Sequence, residues 1–275
     1  MHETDVVIEL QNLRHLTWAE RATSSGTSGC FLKSREGKGP NALYYKLSCY
    51  DSYRGIYGHE CVNEIIAARL MERLGIPHAS YRLVHAIVTI DGADREVWLT
   101  QSPSFRQPGE RKQAFDLFYD LHRTPGESPL EFCERQGWKQ AIDRMLLVDY
   151  LIANRDRHGA NIEVLVSPHG STRLAPLFDN GLSFVFSCYG DENRVAAFDP
   201  LSDINANNYI GTRSLEENLR FISTDLEVSP MTSDWHPYLF RGLENVLNVT
   251  YRNKIWDILW KRWNRAQDLR HPERR

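Results

Sequence analysis

The sequence predicts an α+β protein of two lobes, strand-rich over residues 1–102 and helical over residues 103–275. Three observations carry this expectation. Before residue 102 the apolar positions fall in short β-branched or alternating runs around a single stretch of helical periodicity. Residues 102–109 hold two prolines and a glycine, the composition of a connector. Beyond them the apolar spacing turns to three and four. At 275 residues the chain has room for one large domain or two lobes with a proper core.

The elements follow in chain order. Residues 6–10 are a short β-branched run, and residues 42–48 form a second strand. Within Glu60–Leu74 the residues Val62, Ile65, Ile66, Leu70 and Leu74 recur at helical spacing, so this stretch reads as an amphipathic helix. Gly75 ends it, and Pro77 follows. Residues 81–90 and 95–100 flank Asp91-Gly92, a hairpin-turn signal. After the connector, helices are expected at 110–122, 129–136 and 138–154, the last marked by Ile142, Met145, Leu146, Asp149 and Tyr150. Short strands follow at 162–166 and 173–175. An aromatic helix spans 251–263, with Trp256, Trp260 and Trp263 packing it onto the lobe. The charged tail 270–275 is expected to fray.

Bulk properties exclude several classes. The net charge of −3 leaves no whole-chain footprint for nucleic acid. No apolar run reaches the length of a membrane span. The N-terminus is acidic and lacks a signal pattern. The five cysteines, at 30, 49, 61, 133 and 188, form no Cys-x-x-Cys pair and read as reduced thiols. A cytoplasmic protein is expected, with no membrane and no direct nucleic-acid partner.

Chemistry concentrates in two acidic motifs. In Asn154-Arg155-Asp156-Arg157-His158-Gly159-Ala160-Asn161, an Asp precedes an Asn by five residues. The protein-kinase catalytic loop uses the same spacing, its Asp serving the acceptor hydroxyl and its Asn a metal. Arg157 and His158 lie between and either hold the loop or neutralise transition-state charge. Alone, the stretch also fits a polar surface loop. Phe178-Asp179-Asn180-Gly181 alone reads as a turn, but it follows two short strands after the first loop, where a kinase places its magnesium-binding Asp. Asp156, Asn161 and Asp179 would form one metal–phosphate site, and their oxygens suit a hard cation. Lys46, on the strand 42–48, is the candidate phosphate-binding lysine. Glu64 on the next helix is its candidate partner, with Glu60 as the alternative one turn earlier. Upstream, Ser24-Ser25-Gly26-Thr27-Ser28-Gly29 offers backbone amides to phosphates and four hydroxyls to phosphorylation. The order of these parts along the chain is that of a kinase.

The sequence resembles the C-terminal kinase domain of HipA-like serine/threonine kinases. The resemblance lies in Asn154-Arg155-Asp156-Arg157-His158-Gly159-Ala160-Asn161, in Pro176-Leu177-Phe178-Asp179-Asn180-Gly181, and in Val62-Asn63-Glu64, Ala68-Arg69-Leu70 and Leu74-Gly75-Ile76-Pro77, across residues 20–190. It implies a two-lobed protein-kinase-like fold, distantly related to phosphatidylinositol kinases, that uses ATP and Mg2+. Asp156 would be the catalytic Asp, with Arg157 and His158 beside it. Asn161 and Asp179 would be metal ligands. Lys46, Glu64, Ser25, Gly26, Thr27, Ser28, Gly29, Thr100 and Gln101 would form the nucleotide site. The substrate would be a protein, autophosphorylation and toxin-like action are implied, and an antitoxin-like regulator is an expected partner. Full-length toxins of the family carry a further N-terminal subdomain for which this chain is short.

Three other readings stay open. A lipid headgroup or small molecule could be the acceptor. The chain could be a nucleotide-binding regulator, although Lys46, Asp156, Asn161 and Asp179 are all present. A metal-dependent nuclease would leave Lys46 and Glu64 without a role.

Overall fold

The structure, a computed structural model, describes residues 4–22, 30–51 and 53–270. The expected Ser25, Gly26, Thr27, Ser28 and Gly29 of the nucleotide site and most of the charged tail lie outside the described residues. Among those described, the N-terminal part forms a seven-stranded sheet. Its strands are β1 (Val6–Asn12), β2 (Ala19–Ala22), β3 (Cys30–Glu36), β4 (Leu43–Asp51), β5 (Gly55–Ile56), β6 (Arg82–Ile90) and β7 (Ala93–Pro103). Their spatial order is β1-β6-β7-β4-β3-β2, with β5 against β4. Only the β1–β6 pair is parallel. The β6–β7 hairpin turns at Asp91-Gly92, and both residues take positive φ (50° and 78°), the backbone of a type I′ turn.

Helix α1 (Glu60–Leu74) has the predicted bounds but not the predicted amphipathic character. Thirteen of its 15 residues are buried, Glu60, Asn63, Glu64 and Arg69 among them. The chain after the connector explains this. It forms β8 (Arg111–Ala114), α2 (Phe115–His122), α3 (Pro129–Arg135), α4 (Lys139–Leu151), β9 (Asp156–Arg157), β10 (Glu163–Val166), β11 (Thr172–Leu174), α5 (Glu192–Ala197), β12 (Asn207–Asn208), α6 (Leu215–Asn218), α7 (Trp235–Phe240) and α8 (Val249–Arg270). Val62, Ile65, Ile66 and Leu70 of α1 share one core with Ile142 and Leu146 of α4 and Phe240 of α7. The helix is therefore enclosed by the sheet on one side and by the helical lobe on the other. Arg69, 2% exposed, is neutralised by a bidentate pair with Asp5 and donates to the Leu239 carbonyl. A second core fills the opposite face of the sheet with Tyr45, Leu47, Val84, Val88 and Leu99.

Residues 110–114 correct the helix expected at 110–122. They extend as β8, which pairs antiparallel with β10, and the helix begins only at Phe115. A pairing partner distant in the chain, at residues 163–166, overrides local periodicity here. The connector is shorter than predicted because β7 runs on to Pro103, opposite Leu43. Helix α8 extends past the predicted aromatic helix at both ends, and Trp263 is buried against the lobe while Trp256 and Trp260 stack at 5.6 Å. Cys49, Cys61, Cys133 and Cys188 are free and buried. Among the described residues no helix is long and apolar enough to cross a membrane.

His59, just before α1, is buried between the rings of Tyr189 and Tyr251, at centroid distances of 5.2 and 5.3 Å. Neither ring nitrogen has a hydrogen-bond partner among the described residues. Burial pulls its pKa from 6.5 down to about 4. Between those values the unfolded chain takes up a proton that the folded chain refuses, so stability falls as pH drops through that window. The loss expected from this group is about 3 kcal/mol. His59→Phe should flatten this part of the pH dependence, read as the difference between variant and parent in urea unfolding. An identical acid slope in the two proteins would show that His59 does not set it.

Candidate active site

Strand alternation places Tyr45 and Leu47 in the outer core and turns Lys46 toward α1. Lys46 Nζ donates to Asp179 Oδ1 at 2.5 Å and to Glu64 Oε1 at 3.4 Å. This is the expected lysine–glutamate pair, one helix and one strand apart. Glu60, the alternative partner, instead accepts from the Cys49 amide at 3.2 Å. A second cation stands beside Lys46. Lys33 of β3 is its register partner, and its Nζ lies 3.5 Å from Asp179 Oδ2.

The segment carrying Asp179 is docked on α1. The Asn180 amide donates to Glu64 Oε2 at 2.9 Å, and Asn63 Nδ2 donates to the Gly181 carbonyl at 2.8 Å. A Cβ at Gly181 would lie 3.0 Å from the Glu60 Cβ, so any larger residue would press the segment away from α1 by a few tenths of an ångström. Asp179 itself has φ 56°, in the left-handed region that Asp tolerates better than most residues. Its amide donates to the Tyr81 hydroxyl at 3.2 Å.

Burial opposes every charge in this cluster, yet the charges mostly win. Burial would lower the Lys46 pKa, but Asp179 and Glu64 together hold it above the ordinary lysine value. Burial would raise the Asp179 carboxyl, but Lys46 and then Lys33 hold it well below the usual carboxylate range. At Glu64 burial prevails over Lys46 and the pKa is raised. Of the two carboxylates facing Lys46, Asp179 therefore carries the firmer negative charge.

The other acidic motif is built around a buried ion pair. Arg157, 1% exposed, binds Asp149 of α4 through Nε (3.0 Å to Oδ2) and Nη2 (2.8 Å to Oδ1). Its Nη2 also donates to Asn180 Oδ1 at 2.7 Å, and Nη1 donates to the carbonyls of Phe178 at 2.8 Å and Asn161 at 3.2 Å. One guanidinium thus joins the Asp156 loop to the Asp179 segment. Of its two expected roles, Arg157 takes that of holding the loop. Asn154 links the helix end to the loop, donating to Asp149 Oδ1 and accepting from the Asp156 amide. Asn161 Nδ2 donates to the Asp156 carbonyl at 2.8 Å, so the amide oxygen is the atom that could reach a metal. The Asp156 carboxylate has Asn207 Nδ2 at 3.4 Å and His158 Nε2 at 3.7 Å. A Cβ at Gly159 would come within 2.5 Å of the Asp116 Cβ, so glycine here lets α2 close on the loop.

The strand residues expected in the nucleotide site divide. Thr100 is buried, and its hydroxyl donates to the Lys46 carbonyl at 3.3 Å. Gln101 donates to the Tyr45 hydroxyl at 3.0 Å, so its side chain lies on the sheet face opposite Lys46. The two-residue period that aims Lys46 inward turns this side chain away.

Lys33, Asp149, Tyr81 and Asn207 were not foreseen. Lys33 lies in Cys-Phe-Leu-Lys-Ser-Arg-Glu, which has no β-branched residue to announce a strand. Asp149 did leave a signal. A carboxylate inside the apolar run 145–152 demands a cation, and Arg155 and Arg157 are the nearest downstream. Among the described residues no group of three His, Cys, Asp or Glu could hold a metal alone. The donor set of one carboxylate and one amide oxygen suits a magnesium ion that keeps water and substrate oxygens for its other ligands.

No family model matches the chain, and no curated protein matches it in sequence. Among solved structures, the Helicobacter pylori proinflammatory kinase CtkA is similar with a TM-score of 0.63 at 13% identity, over 96% of this chain and 97% of that one. The fold is protein-kinase-like. HipA of Shewanella oneidensis MR-1, solved with HipB and operator DNA, gives a TM-score of 0.40 at 17% identity, over 92% of this chain and 58% of HipA. At these identities the likeness is one of backbone, and the roles of individual residues rest on the contacts described above.

Proposed function

We propose that the chain is an ATP- and magnesium-dependent phosphotransferase, a HipA-like serine/threonine protein kinase. The observation that carries this reading is the cluster of Lys46, Glu64 and Asp179 joined through Arg157 to the loop of Asp156. Lys46 and Lys33 meet the phosphates of ATP as fixed cations. Asp179 Oδ and Asn161 Oδ1 would hold the metal, which when bound would supply positive charge to the phosphates. Asp156 orients the acceptor hydroxyl and accepts its proton. A protein acceptor and an antitoxin-like regulator are the partners this reading brings with it.

The first test is thermal. A nucleotide present at a hundred times its Kd stabilises the native state by about 2.7 kcal/mol, a Tm rise of roughly 5–10 °C for a chain of this size. ATP with magnesium should give such a rise, and ATP without metal a smaller one. No rise at millimolar nucleotide would end the reading. Labelled γ-phosphate offered to proteins and to small hydroxyl compounds then identifies the acceptor class. A thermal shift with no transfer to either would make the chain a nucleotide-binding regulator.

A further inference from the structure

The peptide between Phe178 and Asp179 is held at both ends by side chains. Its carbonyl accepts from Arg157 Nη1 at 2.8 Å, and its N–H donates to the Tyr81 hydroxyl at 3.2 Å. Tyr81 lies on the segment that leads from α1 to β6. That segment runs parallel to the Asp179 segment from a bridge between His78 and Leu177, where Ala79 N donates to the Leu177 carbonyl at 2.8 Å. The Asp179 amide is the one hydrogen-bond partner of the Tyr81 hydroxyl among the described residues. A phenylalanine would fill the same space without taking a hydroxyl out of water. The phenol also keeps its proton, because burial, and then the carboxylates of Glu64 and Asp179, raise its pKa well above the ordinary tyrosine value.

The orientation of this peptide fixes the φ of Asp179, 56°, a left-handed backbone that costs a residue with a Cβ. That angle sets where the Cβ, and with it the carboxylate, points relative to the peptide. On the far side of Asp179 the chain is also held, since the Asn180 amide donates to Glu64 Oε2 at 2.9 Å. We propose that Tyr81 is the positioning residue of Asp179: its hydroxyl holds the left-handed backbone that aims the carboxylate at Lys46 and at the metal. The part of this that concerns the metal rests on the kinase reading of the site; the hold on the backbone does not. Without the hydroxyl the amide loses its partner, and the backbone relaxes toward negative φ in part of the molecules. The competent fraction falls, and the apparent affinity for metal falls by the same factor. Saturating metal restores the competent form, so turnover per bound metal changes little.

The test is Tyr81→Phe in the full chain, which keeps the ring and its packing. In the free protein, hydrogen exchange at the Asp179 amide should quicken roughly fivefold, the net worth of one hydrogen bond. Exchange at the Asn180 amide, held by Glu64, should stay as in the parent. With ATP present, the magnesium concentration that gives half of the metal-dependent Tm rise should increase roughly fivefold. The KM for magnesium should rise alike, while kcat at saturating magnesium stays within about twofold of the parent. A tyrosine that served packing alone would lower Tm and leave the magnesium requirement where it was. The proposal is overturned by unchanged exchange at Asp179, or by faster exchange with an unchanged magnesium requirement. It is equally overturned by a loss of kcat that saturating magnesium does not recover. A parent with no metal-dependent Tm rise is a separate failure. It overturns the kinase reading, and the metal half of the proposal with it, whatever the exchange shows.

Discussion

Asp156→Asn is expected to lower phosphoryl transfer by roughly a hundredfold to ten-thousandfold, the range contributed by a positioned general base. Asparagine has nearly the same shape and can still accept from Asn207, so the loop should stay folded. What it loses is the ability to take a proton from the acceptor hydroxyl. The effect should therefore fall on kcat, with little change in the Tm rise caused by ATP and magnesium. Asp179→Asn separates the two halves of the site. It takes the Asp179 carboxylate from Lys33 and leaves Lys46 with Glu64 alone, and it removes the charged ligand proposed for the metal, so the metal-dependent part of the thermal shift should vanish along with activity. Wild-type turnover in both variants would mean that the acidic motifs are not the site.

The largest effect on stability is expected from Asp149→Ala. Asp149 is fully buried, and its removal leaves the Arg157 guanidinium, itself 1% exposed, without its counter-ion. Breaking such a pair from one side costs about 3–5 kcal/mol. For a chain of this length that is a fall in Tm of roughly 6–20 °C. The double variant Asp149→Leu with Arg157→Met removes both charges and should recover much of the loss. It should not recover activity, because the Phe178 and Asn161 carbonyls would no longer be drawn to one donor. A single variant as stable as the parent would show that Arg157 finds enough compensation in the carbonyls and Asn180 alone.

The sequence was most readable where local chemistry sufficed. Asp91-Gly92 announced the hairpin because a type I′ turn needs residues that accept positive φ. The span of α1 followed from apolar spacing closed by glycine. The pairing of Lys46 with Glu64 followed from a lysine on a strand and a glutamate on the next helix. The unread features depend on partners distant in the chain. Residues 111–114 are a strand only because residues 163–166 lie beside them. Lys33 reaches the site only because β3 pairs with β4 in the register that sets it next to Lys46. Gln101, expected beside Thr100 in the nucleotide site, follows it in a strand, and that alternation sends its side chain to the opposite face.

The complete burial of α1 bears on how such a site would be regulated. A kinase can be switched by swinging the glutamate-bearing helix away from its lysine when one side of that helix faces solvent. Here an outward swing would strip Ile65, Ile66, Leu70 and Met71 from the helical lobe, at about 1.5–3 kcal/mol for each side chain exposed. It would also pull Arg69 from Asp5 and from the Leu239 carbonyl. The Lys46–Glu64 contact is therefore assembled once, when the chain folds, and does not serve as an on–off latch. Control of the proposed kinase would then act elsewhere than on this helix.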